Sequence, residues 1–237
     1  MNAQMKRILF LFFIISSILA TAQLDEDYEY NKEFIWGPSK NSNGGLIGGL
    51  VFRWSRTMGG DVYRTFGFEL SNVHHPKEYR YPSINGSTFI FGKTNYLYAI
   101  RLQYGRDKIL FRKDTQQGVQ INVGFMGGPT LGFHAPYYIQ DSDGNYVKFN
   151  PDDHSQPFAI LGPGKLFQGL AQADKVFGLN VKGGVSFEFG TYKNNVAGIE
   201  IGLQVEAFTK EIVLVPTQEN RAVFPSVYAT LYWGKRK

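Results

Sequence analysis

An apolar residue at every second position, sustained over longer runs than a soluble strand usually needs, is the strongest constraint this chain places on its fold. In "GIEIGLQVEAF" (residues 198–208) apolar residues from Ile199 to Ala207 alternate with a face made of Glu200, Gly202, Gln204 and Glu206. Successive side chains of a strand point to opposite faces, so this segment reads as a strand with two carboxylates and an amide on one side. Six further segments obey the same rule. In "GLVFRWSR" Leu50, Phe52 and Trp54 oppose Val51, Arg53 and Ser55, and in "VYRTFGFELS" Phe66, Phe68 and Leu70 oppose Thr65, Gly67, Glu69 and Ser71. "NYLYAIRLQYG" sets Tyr96, Tyr98, Ile100, Leu102 and Tyr104 against Leu97, Ala99, Arg101 and Gln103, and "GVQINVGF" sets Val119, Ile121, Val123 and Phe125 against Gln120, Asn122 and Gly124. "FGLNVKGGVSFEF" places Asn180, Lys182, Ser186 and Glu188 on its polar side, and "FPSVYATLYW" carries Val227, Ala229, Leu231 and Trp233 on one face. These segments run 8 to 13 residues, near the ~9 to 11 of a tilted membrane strand and beyond the ~5 to 6 of a soluble one.

The N-terminus says where such strands would go. "MNAQMKRILFLFFIISSILATAQLDED" has a basic end at Lys6 and Arg7, an apolar run from Ile8 to Ala20, and small residues at Ala20 and Ala22. This is the layout of a secretory signal over residues 1 to 22, with cleavage between Ala22 and Gln23, leaving a barrel domain over 23–237. The apolar run is shorter than the ~20 residues of a spanning helix. The chain has no cysteine, hence neither disulfides nor the attachment cysteine of a lipoprotein. Its formal net charge of +5 comes from scattered basic residues, so nucleic acid is not an expected partner of an exported chain. No second apolar stretch is long enough for a membrane helix. If the chain is integral to a membrane it is a closed barrel, since only helices and closed barrels satisfy their backbone groups in lipid.

A single-chain bacterial barrel has an even number of strands, which asks for an eighth. The weak segment "YEYNKEFIWG", before a turn at Pro38 to Gly45, supplies it. Links at 57–61, 107–116 and 190–195 are short, whereas those at 74–93, 140–175 and 211–222 are long. That alternation fits tight periplasmic turns and long outer loops. The expected fold is all-β, an eight-stranded antiparallel up-and-down transmembrane β-barrel with long extracellular loops, located in the outer membrane. The alternative is a soluble sandwich or a lipocalin-like periplasmic binding protein.

In such a barrel Arg53, Glu69, Arg101, Lys182, Glu188, Glu200 and Glu206 point into the lumen. Eight strands leave an interior just wide enough for side chains to fill, so these charges are expected to neutralise one another in a buried network that plugs it. Gly183, Gly184, Gly198 and Gly202 are expected to give bends and room for the charged side chains. Trp54, Tyr96, Tyr104, Phe189, Phe208 and Trp233 sit near strand ends, as interfacial aromatics do.

With its signal peptide, alternating strands and aromatic-rich end "SVYATLYW", the chain resembles the small outer-membrane β-barrel proteins of Gram-negative bacteria, including those associated with type IX secretion. Leu231 and Trp233 occupy the two apolar positions of the terminal assembly signal that the resemblance implies. Tyr228 stands where that signal usually has glycine, and "GKRK" follows the aromatic.

Candidate chemistry is sparse. His74 and His75 begin one loop, His134 lies beyond the fourth clear strand, and His154 precedes Ser155. The His-x-Ser arrangement of lipid A deacylase barrels is absent, which weakens the rival reading of a lipid-modifying enzyme of deacylase or acyltransferase type. "DSDGNYVKFNPDD" gathers Asp141, Asp143, Asp152 and Asp153, but Gly144 comes too early for an EF-hand, so a turn at Asp143-Gly144 is expected. "GKLFQGLAQADKV" (164–176) reads as a short amphipathic helix with Leu166, Phe167 and Leu170 on its apolar side. Tyr79, Tyr81, Tyr137 and Tyr138 are candidates for an exposed binding surface. We expect no catalytic residue, no metal and no cofactor. The expected role is a structural or interaction component of the envelope, touching outer-membrane lipid and, through its loops, envelope or secretion proteins or glycans.

Overall fold

A computed structural model describes residues 30–83, 85–112, 118–154, 156–189 and 194–237, with backbone only at 45–47. The signal segment 1–22 and Ser155 lie outside the described residues. In chain order the strands are β1 (Lys32–Asn41), β2 (Gly44–Gly59), β3 (Val62–Val73), β4 (Arg80–Pro82), β5 (Thr88–Ile90), β6 (Asn95–Phe111) and β7 (Gln120–Pro136). They continue with β8 (Tyr138–Asp141), β9 (Tyr146–Lys148), β10 (Ile160–Pro163), β11 (Asp174–Phe189), β12 (Asn195–Ile212) and β13 (Arg221–Arg236). Eight of them close into one antiparallel barrel in the order β1-β13-β12-β11-β7-β6-β3-β2. Each neighbours the next barrel strand in sequence, and β13 returns to pair with β1, so every ladder finds a partner and no sheet edge remains.

The barrel strands reach 18 residues in β12, longer than the alternating stretches alone suggest, because pairing continues past the apolar belt into the loops. The first strand also differs from expectation. β1 runs through Pro38 to Asn41 instead of turning there. Its pairing with β13 is broken between Trp36↔Trp233 and Ser39↔Thr230, and Pro38, with no N–H to donate, falls in that gap while its other side stays in register with Leu50.

The strand glycines make room for aromatic rings. A Cβ at Gly202 would come within 2.7 Å of the Tyr228 hydroxyl, and one at Gly198 within 2.5 Å of the Tyr232 hydroxyl. Gly183 faces outward beside Phe125. The side chains accommodated are thus mainly tyrosines of β13, whose hydroxyls let them turn into a polar interior.

At the loop end Val73, Leu97, Val176, Phe208, Leu214 and Phe224 pack together in a buried apolar cluster. Phe208 belongs to this cluster and not to an interfacial girdle: it lies on the inward face of β12 and packs edge-on against Phe224 at 5.9 Å. In the loops, β4 and β5 form a hairpin and β10-β8-β9 a small sheet, joined by a core that includes Phe89, Tyr137, Ile139, Phe149 and Ile160.

Segment 164–176 is not a helix. Pro163 precedes it and Gly164 opens it, Gly169 sits at φ 88° in the left-handed region, and one 3₁₀ turn, Leu170–Gln172, is all the helix that forms. From Asp174 the chain is in register with β7, beginning at His134. The backbone groups of a lengthened β7 need that partner.

Candidate functional site

Inside the barrel, the seven charged residues singled out by the strand alternation are all buried. Nearest the apolar cluster of the loop end, Arg101 grips Glu206 with two hydrogen bonds of 2.7 Å and donates a third, of 2.5 Å, to Glu69. Lys182 adds an ion pair to Glu69 at 3.3 Å and lies 4.0 Å over the Tyr228 ring. One step further, Gln103 donates to Asn180, whose own amide donates to Thr130 at 2.9 Å. Arg53 then binds both oxygens of Glu200, one of them at 2.6 Å, and Tyr228 donates to the same carboxylate at 2.5 Å. At the end that carries the termini, Glu188 is held by Arg236, which also reaches Glu33 at 2.5 Å and lies 3.8 Å over the Tyr30 ring.

Charges removed from water cost several kcal/mol each unless geometry and hydrogen bonds compensate, and two-pronged guanidinium-carboxylate pairs supply both. A cavity of about 20 Å³, room for about one water molecule, lies among Tyr30, Arg53, Asp107, Asn122 and Tyr232.

Several of these partners are absent from the sequence-level set. Arg236 sits in the "GKRK" tail yet continues the inward series Tyr228, Thr230, Tyr232. Asp107, which accepts from Thr65 at 2.5 Å, continues the series Arg101, Gln103. In both cases the alternation persists beyond the apolar run that marks the strand. Glu33 and Tyr30 belong to the highly charged first segment, where the alternation is weak.

The outside of the barrel is apolar. Phe66, Leu102, Phe125, Leu179 and Leu203 are exposed, on the faces opposite the charged ones. A closed ring of eight strands with apolar side chains outward and ion pairs inward is the construction of an integral outer-membrane barrel. Trp54, Tyr104 and Trp233 face outward and are about half exposed. Trp54 is in register with Phe66 and Phe66 with Tyr104, while Trp233 lies 6.1 Å from Trp36. Tyr96 does not join them. It stands at the opposite end of β6, 5.1 Å from Tyr137 and beneath Lys93, partly buried against the core of the loop platform.

The loops disperse the titratable residues. His134 bonds the Val213 carbonyl at 2.9 Å, and His154 bonds Asn150. His74 and the buried Lys93 both bind Glu78, at 2.8 and 2.7 Å. Burial pushes the Glu78 carboxyl up, but the His74 hydrogen bond and the Lys93 charge outweigh it and hold it down at about 2. The Asp141 carboxylate accepts from the backbone of Asp143 and Asn145, closing the β8–β9 hairpin with Gly144 at φ 83°, whereas Asp153 bonds Asn150 in a separate turn. Among the described residues no three His, Asp or Glu side chains are grouped to hold a metal.

No family model matches the chain, and no curated protein matches it. Among solved structures it is similar to Ail, the attachment invasion locus protein of Yersinia pestis, at 9% identity and a TM-score of 0.41, covering 88% of this chain and 100% of that one. It is also similar to Neisserial surface protein A at 13% identity and a TM-score of 0.37, covering 87% and 95%.

Proposed function

We propose that this chain is a closed, non-conducting outer-membrane barrel that serves as a rigid mount for its loop platform, and that the platform binds a protein or glycan partner of the cell envelope. A secretion component is the most specific form of that partner. The observation that carries the reading is a contrast between the two halves. Apart from Asp107, which is held by the Thr65 hydroxyl, the charges described inside the barrel are paired with one another, whereas the loops combine a packed core with large side chains left in the open. Tyr79 and Phe158 are each 71% exposed and Leu166 84%, on segments fixed by the Glu78–Lys93 ion pair and the Phe89–Tyr137 core. Exposed aromatics on rigid loops are the usual material of a recognition surface. An even strand count puts both termini on one side, so an exported chain with periplasmic termini directs this platform outward. A lipid-modifying enzyme draws no support from His134 and His154, each bonded to a different neighbour.

Two measurements test the reading. Purified protein in planar bilayers should give no steady conductance. Photo-crosslinkers at Tyr79 and Phe158 in intact cells should capture a discrete partner that the same probe at Leu203 does not. Stable conductance steps, or capture identical to the Leu203 control, would overturn it.

A further inference from the structure

The outer surface of the barrel carries a second ordered feature, at the end where the termini lie. Phe34, Trp54, Phe66 and Tyr104 are successive register partners on β1, β2, β3 and β6, with ring pairs at 5.2 Å (Phe34–Trp54) and 5.1 Å (Phe66–Tyr104). One outward-facing position nearer the terminal end, the same four strands carry Lys32, Arg56, Arg64 and Arg106, again successive register partners. All four are exposed, and none makes an ion pair with an acidic side chain among the described residues. Among the described residues, Glu33, Asp107 and Glu188, acids on the same strands or levels, face the interior. The row stops at β7, where Arg106 meets Phe125, and the outward positions beyond it, Val123 and Val185, are apolar.

Like charges directly opposite one another on neighbouring strands repel and destabilise the sheet. Four in succession call for an anion lying across them. The height is right for one. Arg106 lies two residues past the outward-facing Tyr104 along β6, about 7 Å of strand, or about 5 Å of height at a tilt of ~40°. Aromatic rings mark the interface, and guanidinium groups just beyond them reach the phosphate level, where arginine binds phosphate oxygens in two-pronged fashion.

We propose that Lys32, Arg56, Arg64 and Arg106 form a binding site for the phosphodiester headgroups of anionic glycerophospholipids in the periplasmic leaflet, on the β1-β2-β3-β6 flank of the barrel. The site rests on the transmembrane reading, with the termini periplasmic.

The test is native mass spectrometry of the detergent-solubilised full mature chain with phosphatidylglycerol and, separately, phosphatidylcholine of matched acyl chains. Wild type should retain phosphatidylglycerol in preference to phosphatidylcholine. The Arg56→Gln/Arg64→Gln/Arg106→Gln variant should lose that retention by at least about tenfold, given roughly tenfold or less per basic group at an anionic surface, and Arg64→Gln alone should lose a smaller part. A loop-end variant, Lys148→Gln/Lys165→Gln/Lys175→Gln, removes the same charge and should retain the lipid. Excess glycerol 3-phosphate should not displace it, separating a membrane lipid from a free phosphate ester. Heat-modifiable gel mobility, recorded for each variant, reports the barrel independently, so an unfolded chain is not mistaken for a lost site. Equal retention by the folded triple variant would overturn the site. So would a cross-link from position 64 to a periplasmic protein with lipid retention unchanged, which would assign the row to a protein partner.

Discussion

Arg236 and Glu188 pair inside the terminal end of the barrel, the guanidinium bonding both carboxylate oxygens, one of them at 2.7 Å. The same guanidinium holds Glu33 of β1. The last strand is thus locked to the first by a charge as well as by the backbone ladder. Arg236→Gln removes the cation that Glu188 and Glu33 share, a loss of about 3–5 kcal/mol by the usual cost of breaking a buried pair. The temperature at which the fast-migrating unboiled form disappears on gels should fall markedly. Lys235→Gln, one residue earlier and facing outward, should leave it nearly unchanged.

Arg53 and Glu200 join β2 to β12 across the interior. Arg53→Met or Glu200→Gln alone strands a buried partner and should destabilise by about 3 kcal/mol or more. The double variant should cost less than the sum, with a coupling of about 1–3 kcal/mol. A double-mutant cycle in denaturant checks this, and additive losses would mean that the two side chains are not paired.

Glu78 supplies a pH dependence outside the membrane. Its carboxyl is held down at about 2 in the folded loop, against ~4.3 for a free glutamate. A depressed pKa means the folded state favours the ionised form. The resulting stabilisation is complete above about pH 4.3 and is lost as the pH falls toward 2. The protection of the amides in the 74–94 segment, taken as exchange relative to the intrinsic rate at each pH, should fall over that interval in wild type. Glu78→Gln should exchange faster at neutral pH and lack the acid transition.

The alternation of apolar and polar residues made the barrel legible because strand geometry forces a period of two wherever one face meets lipid and the other a filled interior. It also selected Arg53, Arg101 and Lys182 together with the glutamates they hold. It ended where the apolar run ended, and so passed over Asp107 and Arg236, which keep the inward parity at strand ends no longer facing lipid. The small sheet of β8, β9 and β10 escaped notice because its strands are three or four residues long, too short for periodicity, and β10 pairs with β8 across an intervening strand. Residues 164–176 carry helix-like spacing, but Gly164 and Gly169 and the unpaired end of β7 decided otherwise. Tyr96 has the spacing of an interfacial aromatic and is claimed by Tyr137, which follows the next barrel strand, and by Lys93, just ahead of its own strand.

Because the chain has no cysteine, one spin label can be placed at will, and adjacent positions on β12 separate the two faces directly. Leu203 is 66% exposed and Gln204 is buried. In lipid bilayers, a label at Leu203→Cys should be relaxed strongly by oxygen and weakly by a water-soluble nickel complex, while a label at Gln204→Cys should be protected from both. Strong relaxation of the Leu203 label by the nickel complex would mean that the apolar face meets water, and the transmembrane barrel would have to be abandoned.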